Sequence, residues 1–241
     1  KVYNKIIDDI DAILHSAANV SHVGNLEDFE RDNVRATKNI VAFANKKEGF
    51  KIYHISTISV SGDNILGKKK FLFTENDFNI NQNFNNFYEK TKYESEKIIR
   101  EFFSRGGKGA IFRLGNITSD SKTGICQRNV EKNGFLNFIR AIMKIGVPDN
   151  VNPEFGISPV DICAASIVYL MFHYELNGEV LHIFNEESIK TKKMINMLNH
   201  LGYPIDYYNH KKGLSDNAEE YLPYIVNYVS NPAKTKFEYG N

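Results

Sequence analysis

Asp11-Ala12-Ile13-Leu14-His15, followed at once by Ser16-Ala17-Ala18, is the stretch on which the fold turns. A short apolar run closed by small residues is the pattern of a buried parallel strand whose carboxyl end opens towards a ligand. Working outward, Val34, Thr37, Ile40, Val41 and Ala44 recur three or four apart and predict a helix. Lys51-Ile52-Tyr53-His54-Ile55-Ser56 reads as a second strand, running into the hydroxyl-rich Thr57-Ile58-Ser59-Val60-Ser61-Gly62. Residues 63–87 are polar and asparagine-rich, and are expected to form a long surface loop. A helix is predicted over 88–105, with Ile98, Ile99, Phe102 and Phe103 on its buried side and Gly106-Gly107 as its stop.

Further on, Gly109-Ala110-Ile111-Phe112-Arg113-Leu114 reads as a third strand and 133–145 as a helix. Ser158 is expected to cap a helix that opens on Pro159 and runs through Ile162, Ala165, Ile167 and Leu170. Val180-Leu181-His182-Ile183-Phe184 is a further strand, and helices are expected near 191–201 and 218–229. Strands alternating with helices predict an α/β fold, a parallel sheet with helices on both faces. A dinucleotide-binding sheet usually opens with a glycine-rich turn between its first strand and helix. The densest glycine cluster, Gly106-Gly107-Lys108-Gly109, precedes a strand and does not fit that context. Either this is not a dinucleotide fold, or the sheet lacks its glycine-rich unit in this chain.

Composition narrows the partners. A net charge of +1 calls for neither nucleic acid nor an anionic membrane surface. Lys68-Lys69-Lys70 is read as a solvated loop. No apolar stretch approaches the roughly 18 residues of a membrane helix, and the amino-terminal residues do not read as a signal peptide. The two cysteines, Cys126 and Cys163, form no disulfide framework or zinc spacing, so a reducing, cytoplasmic setting is expected. The seven histidines show no metal spacing, and no metal is assigned. His15 is read as a structural, hydrogen-bonded side chain at a strand end, and Asn33 as either an organiser of the site or a helix cap.

The candidate chemistry lies in Thr57, Tyr88 and Lys92. A tyrosine and a lysine four apart on a helix share a face, and a neighbouring ammonium would lower the phenol's pKa and tune it as a general acid. A hydroxyl at a strand end could donate a second hydrogen bond to the same developing oxyanion. The spacing alone is weak, since Tyr93/Lys97, Tyr207/Lys211 and Tyr208/Lys212 share it. Context separates them, because Tyr88/Lys92 opens a helix after a strand that ends in Ser56-Thr57.

Six segments in order then resemble the terminal thioester reductase domains of nonribosomal peptide synthetases. These are relatives of carboxylic acid and fatty acyl reductases among the extended short-chain dehydrogenases. The segments are Ile13-Leu14-His15-Ser16-Ala17-Ala18-Asn19-Val20, Asn33-Val34-Arg35-Ala36-Thr37, the run from His54 to Gly62, the run from Tyr88 to Glu96, Arg113-Leu114-Gly115-Asn116-Ile117 and Ser158-Pro159-Val160-Asp161. The resemblance implies a Rossmann-like dinucleotide-binding domain over 1–118 and 157–186, and a smaller, mostly helical substrate-binding lobe over 119–156 and 187–241. It implies Thr57, Tyr88 and Lys92 as catalytic residues, with Lys92 also holding the cofactor ribose. Ala17, Ala18, Leu114, Gly115 and Asn116 would meet the cofactor, and Asn19, His22 and Ser59 the substrate. The implied cofactor is NADPH, with NADH as the alternative. The implied partner is a phosphopantetheinylated carrier domain of the same synthetase, the chain being a monomeric domain of a longer one. The implied reaction is hydride transfer to a carrier-bound acyl or peptidyl thioester, releasing an aldehyde and leaving a further step to the alcohol open. A nucleotide-sugar epimerase or dehydratase, or a non-catalytic dinucleotide-binding module, are the competing readings.

Overall fold

The structure, a computed structural model, describes residues 6–21, 24–65, 69–148, 154–185, 187–205, 207–208 and 236–240. The predicted helix 218–229 and His22 lie outside them. Strand β1 (Ala12–His15) leads to a helical run of three parts: Leu26–Phe29, capped by the Asn25 side chain, a π-helical stretch Glu30–Arg35, and helix α1 (Ala36–Ala44). Strand β2 (Lys51–Thr57) passes through a 3-10 turn, Ile58–Ser61, to strand β3 (Lys70–Phe73) and helix α2 (Phe87–Ser104). Strand β4 (Lys108–Leu114) is followed by helix α3 (Gly134–Ile145), helix α4 (Val160–His173), strand β5 (Asn177–Ile183), helix α5 (Thr191–His200) and strand β6 (Lys236–Tyr239).

Four strands form one parallel sheet in the order β1-β2-β4-β5, so each step moves the same way across the sheet. The pleat sends alternate residues to opposite faces. Ile52 and Ile111 pack with Phe43, Ile99 and Phe102 beneath α1 and α2. Tyr53, Ala110 and Phe112 pack with Ile167 and Leu176, on the face covered by α4. The first two crossover helices therefore share one face and the third takes the other, which gives the last crossover the opposite hand. Before that crossover the chain leaves the sheet to build a second core from Phe135, Phe138, Ile142, Val147 and Phe155, completed by Met194, Ile195 and Ile205. That excursion frees the return path from the constraint that makes short crossovers right-handed.

Two expectations are corrected. Residues 63–87 are not simply a surface loop, because β3 lies within them, pairs in parallel with β6 and buries Phe73 completely. The alternation of Phe71 and Phe73 with their neighbours was the sign of a strand. Nor does Ser158 cap α4. Its backbone pairs with Ile117, and its Oγ accepts from the Asn185 backbone N–H at 3.0 Å, so the helix opens at Val160 with no side-chain cap. Of the lysine run read as a solvated loop, Lys68 lies outside the described residues and Lys69 is exposed, but Lys70, also exposed, opens β3 and pairs with Glu238 at 2.6 Å.

Candidate active site

Thr57, Tyr88 and Lys92 meet at the carboxyl ends of β1, β2 and β4. Thr57 is the last residue of β2, and its Oγ1 accepts from the Ser59 backbone N–H at 3.2 Å. That acceptor bond starts the 3-10 turn and leaves the threonine proton free to donate, and Thr57 is hydrogen-bonded to the Tyr88 phenol. Helix α2 begins where Asn86 caps it, its side chain accepting from the Glu89 N–H at 2.9 Å. This cap places Tyr88 in the first turn and Lys92 one turn deeper. Lys92 is almost wholly buried and donates to the Ile55 carbonyl at 2.6 Å.

The electrostatics differ from the expectation drawn from spacing. Burial pushes the Tyr88 phenol up to about 12, against the lowering effect of the Thr57 hydrogen bond. The lysine spends its visible hydrogen bond on Ile55 and does not bring the phenol down. At neutral pH Tyr88 is thus a protonated donor. Burial lowers Lys92 to about 8, opposed by the negative charge of Glu96. Burial and the Lys92 charge also lower His15, to about 4, and push His54 well below its usual range.

The floor beside Lys92 is polar. His15 and His54 are register partners with ring centroids 5.2 Å apart. Thr37 Oγ1 donates to the Asn33 carbonyl at 2.7 Å, so it accepts from His15 Nε2 at 3.2 Å, which fixes that nitrogen as the protonated one. His15 is structural, as read from the sequence. Asn33 is no helix-start cap. It is buried within the π-helical stretch, where its side chain accepts from the Asn19 N–H at 2.7 Å and donates to the Asn19 carbonyl at 3.2 Å and to Thr91 Oγ1 at 3.0 Å. One asparagine therefore ties the turn after β1 to the helix of Tyr88 and Lys92. A π-helical turn widens the backbone enough to point such a side chain sideways.

The remaining candidates are spread around this rim. Ala17 is exposed and Ala18 half-buried beyond β1. The Asn19 side chain is engaged with Ser21 and Asp32. Ser59 is half-buried in the 3-10 turn. Leu114 ends β4. Gly115 has no room for a side chain, since a Cβ would stand 2.9 Å from Phe184 Cβ. Asn116 donates to the Gly156 carbonyl at 3.2 Å, so its amide is committed to the segment re-entering the sheet. Tyr239 of β6 was not anticipated. It returns to within 3.2 Å of Ser61 Oγ, next to the 3-10 turn, and burial pushes its phenol up to about 12. Cys126 is exposed, and Cys163 is buried with its thiol pushed up by burial. Among the described residues no cluster could hold a metal and no helix is long and apolar enough to cross a membrane.

A parallel sheet with a tyrosine and a lysine presented at its carboxyl rim is the frame of the short-chain dehydrogenase type of oxidoreductase. The family described as male sterility protein, NAD_binding_4, matches residues 1–167, and the chain belongs to it. Among curated proteins it is 25% identical over 199 residues to a linear gramicidin synthase of Brevibacillus parabrevis, covering 82% of this chain and 4% of that one. It is 22% identical over 212 residues to L-2-aminoadipate reductase of Schizosaccharomyces pombe, covering 83% and 15%. Among solved structures, a thiolation-reductase di-domain from an archaeal non-ribosomal peptide synthetase superposes with a TM-score of 0.80 at 26% identity, over 95% of this chain and 50% of that one. The chain thus spans a small part of the curated relatives and half of that structure.

Proposed function

We propose that the chain carries the catalytic residues of a thioester reductase that releases a carrier-bound acyl or peptidyl group as an aldehyde. One observation carries this reading. The Thr57 hydroxyl and the Tyr88 phenol are hydrogen-bonded to each other at the sheet rim, above a buried Lys92. Two adjacent hydroxyl donors suit a carbonyl oxygen that gains charge. The kinship with reductase domains of peptide synthetases and with aminoadipate reductase supports the choice of substrate.

The same residues fit a nicotinamide cofactor, NADPH in this reading. Lys92 gives one N–H to Ile55 and retains two for a ribose. Ala17 and Ala18 present nothing beyond a methyl group, and Gly115 presents none. When bound, the nicotinamide supplies the hydride. Thr57 and Tyr88 then hold the oxygen of the reduced carbonyl, and Tyr88 gives it a proton. The resulting hemithioacetal collapses when its hydroxyl proton returns to the Tyr88 phenolate and the C–S bond breaks, the sulfur leaving as a thiolate that takes a proton from solvent. The Thr57 hydrogen bond, which favours the phenolate, holds it between those steps, while Lys92, one turn further along α2, holds the ribose. Residues 1–118 and 157–186 are assigned to the cofactor side, and 119–156 and 187–241 to the substrate side. The carrier partner is a phosphopantetheinylated domain of the same longer chain.

The test is oxidation of NADPH by the full-length protein with an acyl-pantetheine thioester, together with identification of the aldehyde. Tyr88→Phe is expected to lower kcat at least about 100-fold with an unchanged melting temperature. Equal turnover in Tyr88→Phe, or turnover of a nucleotide sugar in place of the thioester, overturns the reading.

A further inference from the structure

The sheet face beneath α2 carries polar side chains that the proposed reaction does not use. Ser56, Arg113 and His182 lie in register across β2, β4 and β5. Glu96, one helical turn beyond Lys92, reaches down onto this row. Its carboxylate is completely buried and accepts from Ser56 Oγ at 2.7 Å, Arg113 Nη2 at 2.7 Å, Arg113 Nε at 3.2 Å and Arg100 Nε at 3.0 Å. Arg113, equally buried, also donates to the carbonyls of Thr74 at 3.1 Å and Asp77 at 2.7 Å.

Apart from that of Arg100, which stays on α2 and lies over Phe78, these contacts lead to pieces of the site. Ser56 precedes Thr57. Arg113 precedes the turn of Leu114, Gly115 and Asn116. Thr74 and Asp77 belong to the segment that delivers the chain to Asn86 and Tyr88. Glu96 stands four residues from Lys92 on the same face of the helix. Stability alone gives little reason for such an arrangement, since apolar side chains of similar volume often serve a core as well as a buried ion pair.

We propose that Glu96 is the positioning carboxylate of the site. It fixes the strand of Thr57, the turn 114–116 and the entry to α2 relative to one another, and it supplies the negative charge that faces Lys92. The proposal rests on the reductase reading of Thr57, Tyr88 and Lys92. The other titratable groups around Lys92 are Tyr88 on α2, kept protonated by burial, and His15 of β1 and His54 of β2, both kept neutral by burial and by the lysine. Burial alone would push the Glu96 carboxyl up, but Arg113 and Arg100, with the Ser56 hydroxyl, outweigh it and hold it below the usual range. Glu96 is therefore the anion that keeps Lys92 an ammonium near neutral pH.

The experiment follows the Lys92 13Cε resonance through a pH titration of the full-length protein without cofactor, assigned by its loss in Lys92→Met. In Glu96→Gln the lysine midpoint is expected to fall by about one unit, and kcat to fall at least about tenfold with KM within about twofold. Should that variant not fold, two milder ones carry the test. Arg100→Met removes a cation from the far side of the carboxylate and should raise the lysine midpoint. Ser56→Ala cuts only the arm to β2 and should lower kcat several-fold with KM unchanged. A lysine midpoint that stays fixed in Glu96→Gln and Arg100→Met, or a Ser56→Ala enzyme as fast as its parent, overturns the proposal. A protein that reduces no thioester while its lysine midpoint moves as described sinks the reductase reading and leaves the electrostatic role of Glu96 standing.

Discussion

Lys92 is an ammonium held among two neutral imidazoles and one carboxylate, and its titration should be visible in the rate. Burial lowers it from 10.5 to about 8. In the proposed reaction the protonated form binds the ribose, so activity is expected below that value and is lost as pH rises through it. We expect kcat/KM for the thioester to fall about tenfold per unit well above pH 8. Lys92→Arg should give a lower and flat profile, because a guanidinium stays charged throughout. Initial rates between neutral and mildly alkaline pH check this, and a falling limb that persists unchanged in Lys92→Arg would assign it to another group. The pairing of Tyr88 with Lys92 was legible because positions four apart on a helix share a face. The direction of the phenol's pKa was not. It depends on how deeply Tyr88 is buried and on the Ile55 carbonyl that captures the lysine, and neither leaves a mark on the spacing. Asn33 was legible as an organiser of the site or as a helix cap, and the sequence left that choice open. Its role needs the π-helical register, which local sequence does not announce.

At the scale of elements, β2, β4 and β5 explain both what could be read and what was missed. A parallel strand covered on both faces should be a continuous apolar run. His54 and Ser56 in β2, Arg113 in β4 and His182 in β5 break that run on a single face. The interruption was the available signal for a buried polar floor, and the strands were nevertheless identifiable from their other face. The strand within 63–87 was obscured by its asparagine-rich surroundings, and it becomes a strand only through β6, more than 160 residues away. Gly109 in β4 tests how closely these strands are set. Its φ of +124° is open to glycine and strained for any other residue, and a Cβ there would run into the Ile52 carbonyl of β2. Gly109→Ala should cost more than about 2 kcal/mol in urea unfolding, and shift or broaden the amide signals of Ile52 and Tyr53. A variant as stable as its parent would mean that β2 and β4 can separate without loss, contrary to the packing described above.

For the whole molecule, the α/β alternation was enough to predict a parallel sheet, while the opposite hand of the last crossover was not legible, since it follows from a second core assembled between β4 and β5 and completed by α5. The molecule as a whole also places three histidines, His15, His54 and His182, in its interior beneath the site. Burial first, and then the charge of Lys92, lowers His15 to about 4, while burial followed by Arg113 lowers His182 to about 4. Burial followed by Lys92 and His15 pushes His54 well down in the same direction. In each case the unfolded chain binds a proton at a pH where the folded one does not. For His15 and His182 that contribution to stability is therefore complete above the unfolded value of 6.5 and is lost as pH falls towards 4. A shift of this size amounts to roughly 3 kcal/mol per histidine at its limit, so even partial titration is large against the stability of a domain. The window from about pH 6.5 to about pH 5 lies above the range in which carboxylates such as Glu96 begin to titrate, which separates the two causes. We expect the urea midpoint to drop steeply across that window, and the drop to shrink in a His15→Gln/His182→Gln variant even where that variant is less stable at neutral pH. An acid limb of undiminished slope in the double variant would move the origin of the effect to other groups and leave the buried imidazoles without a role in the molecule's pH dependence.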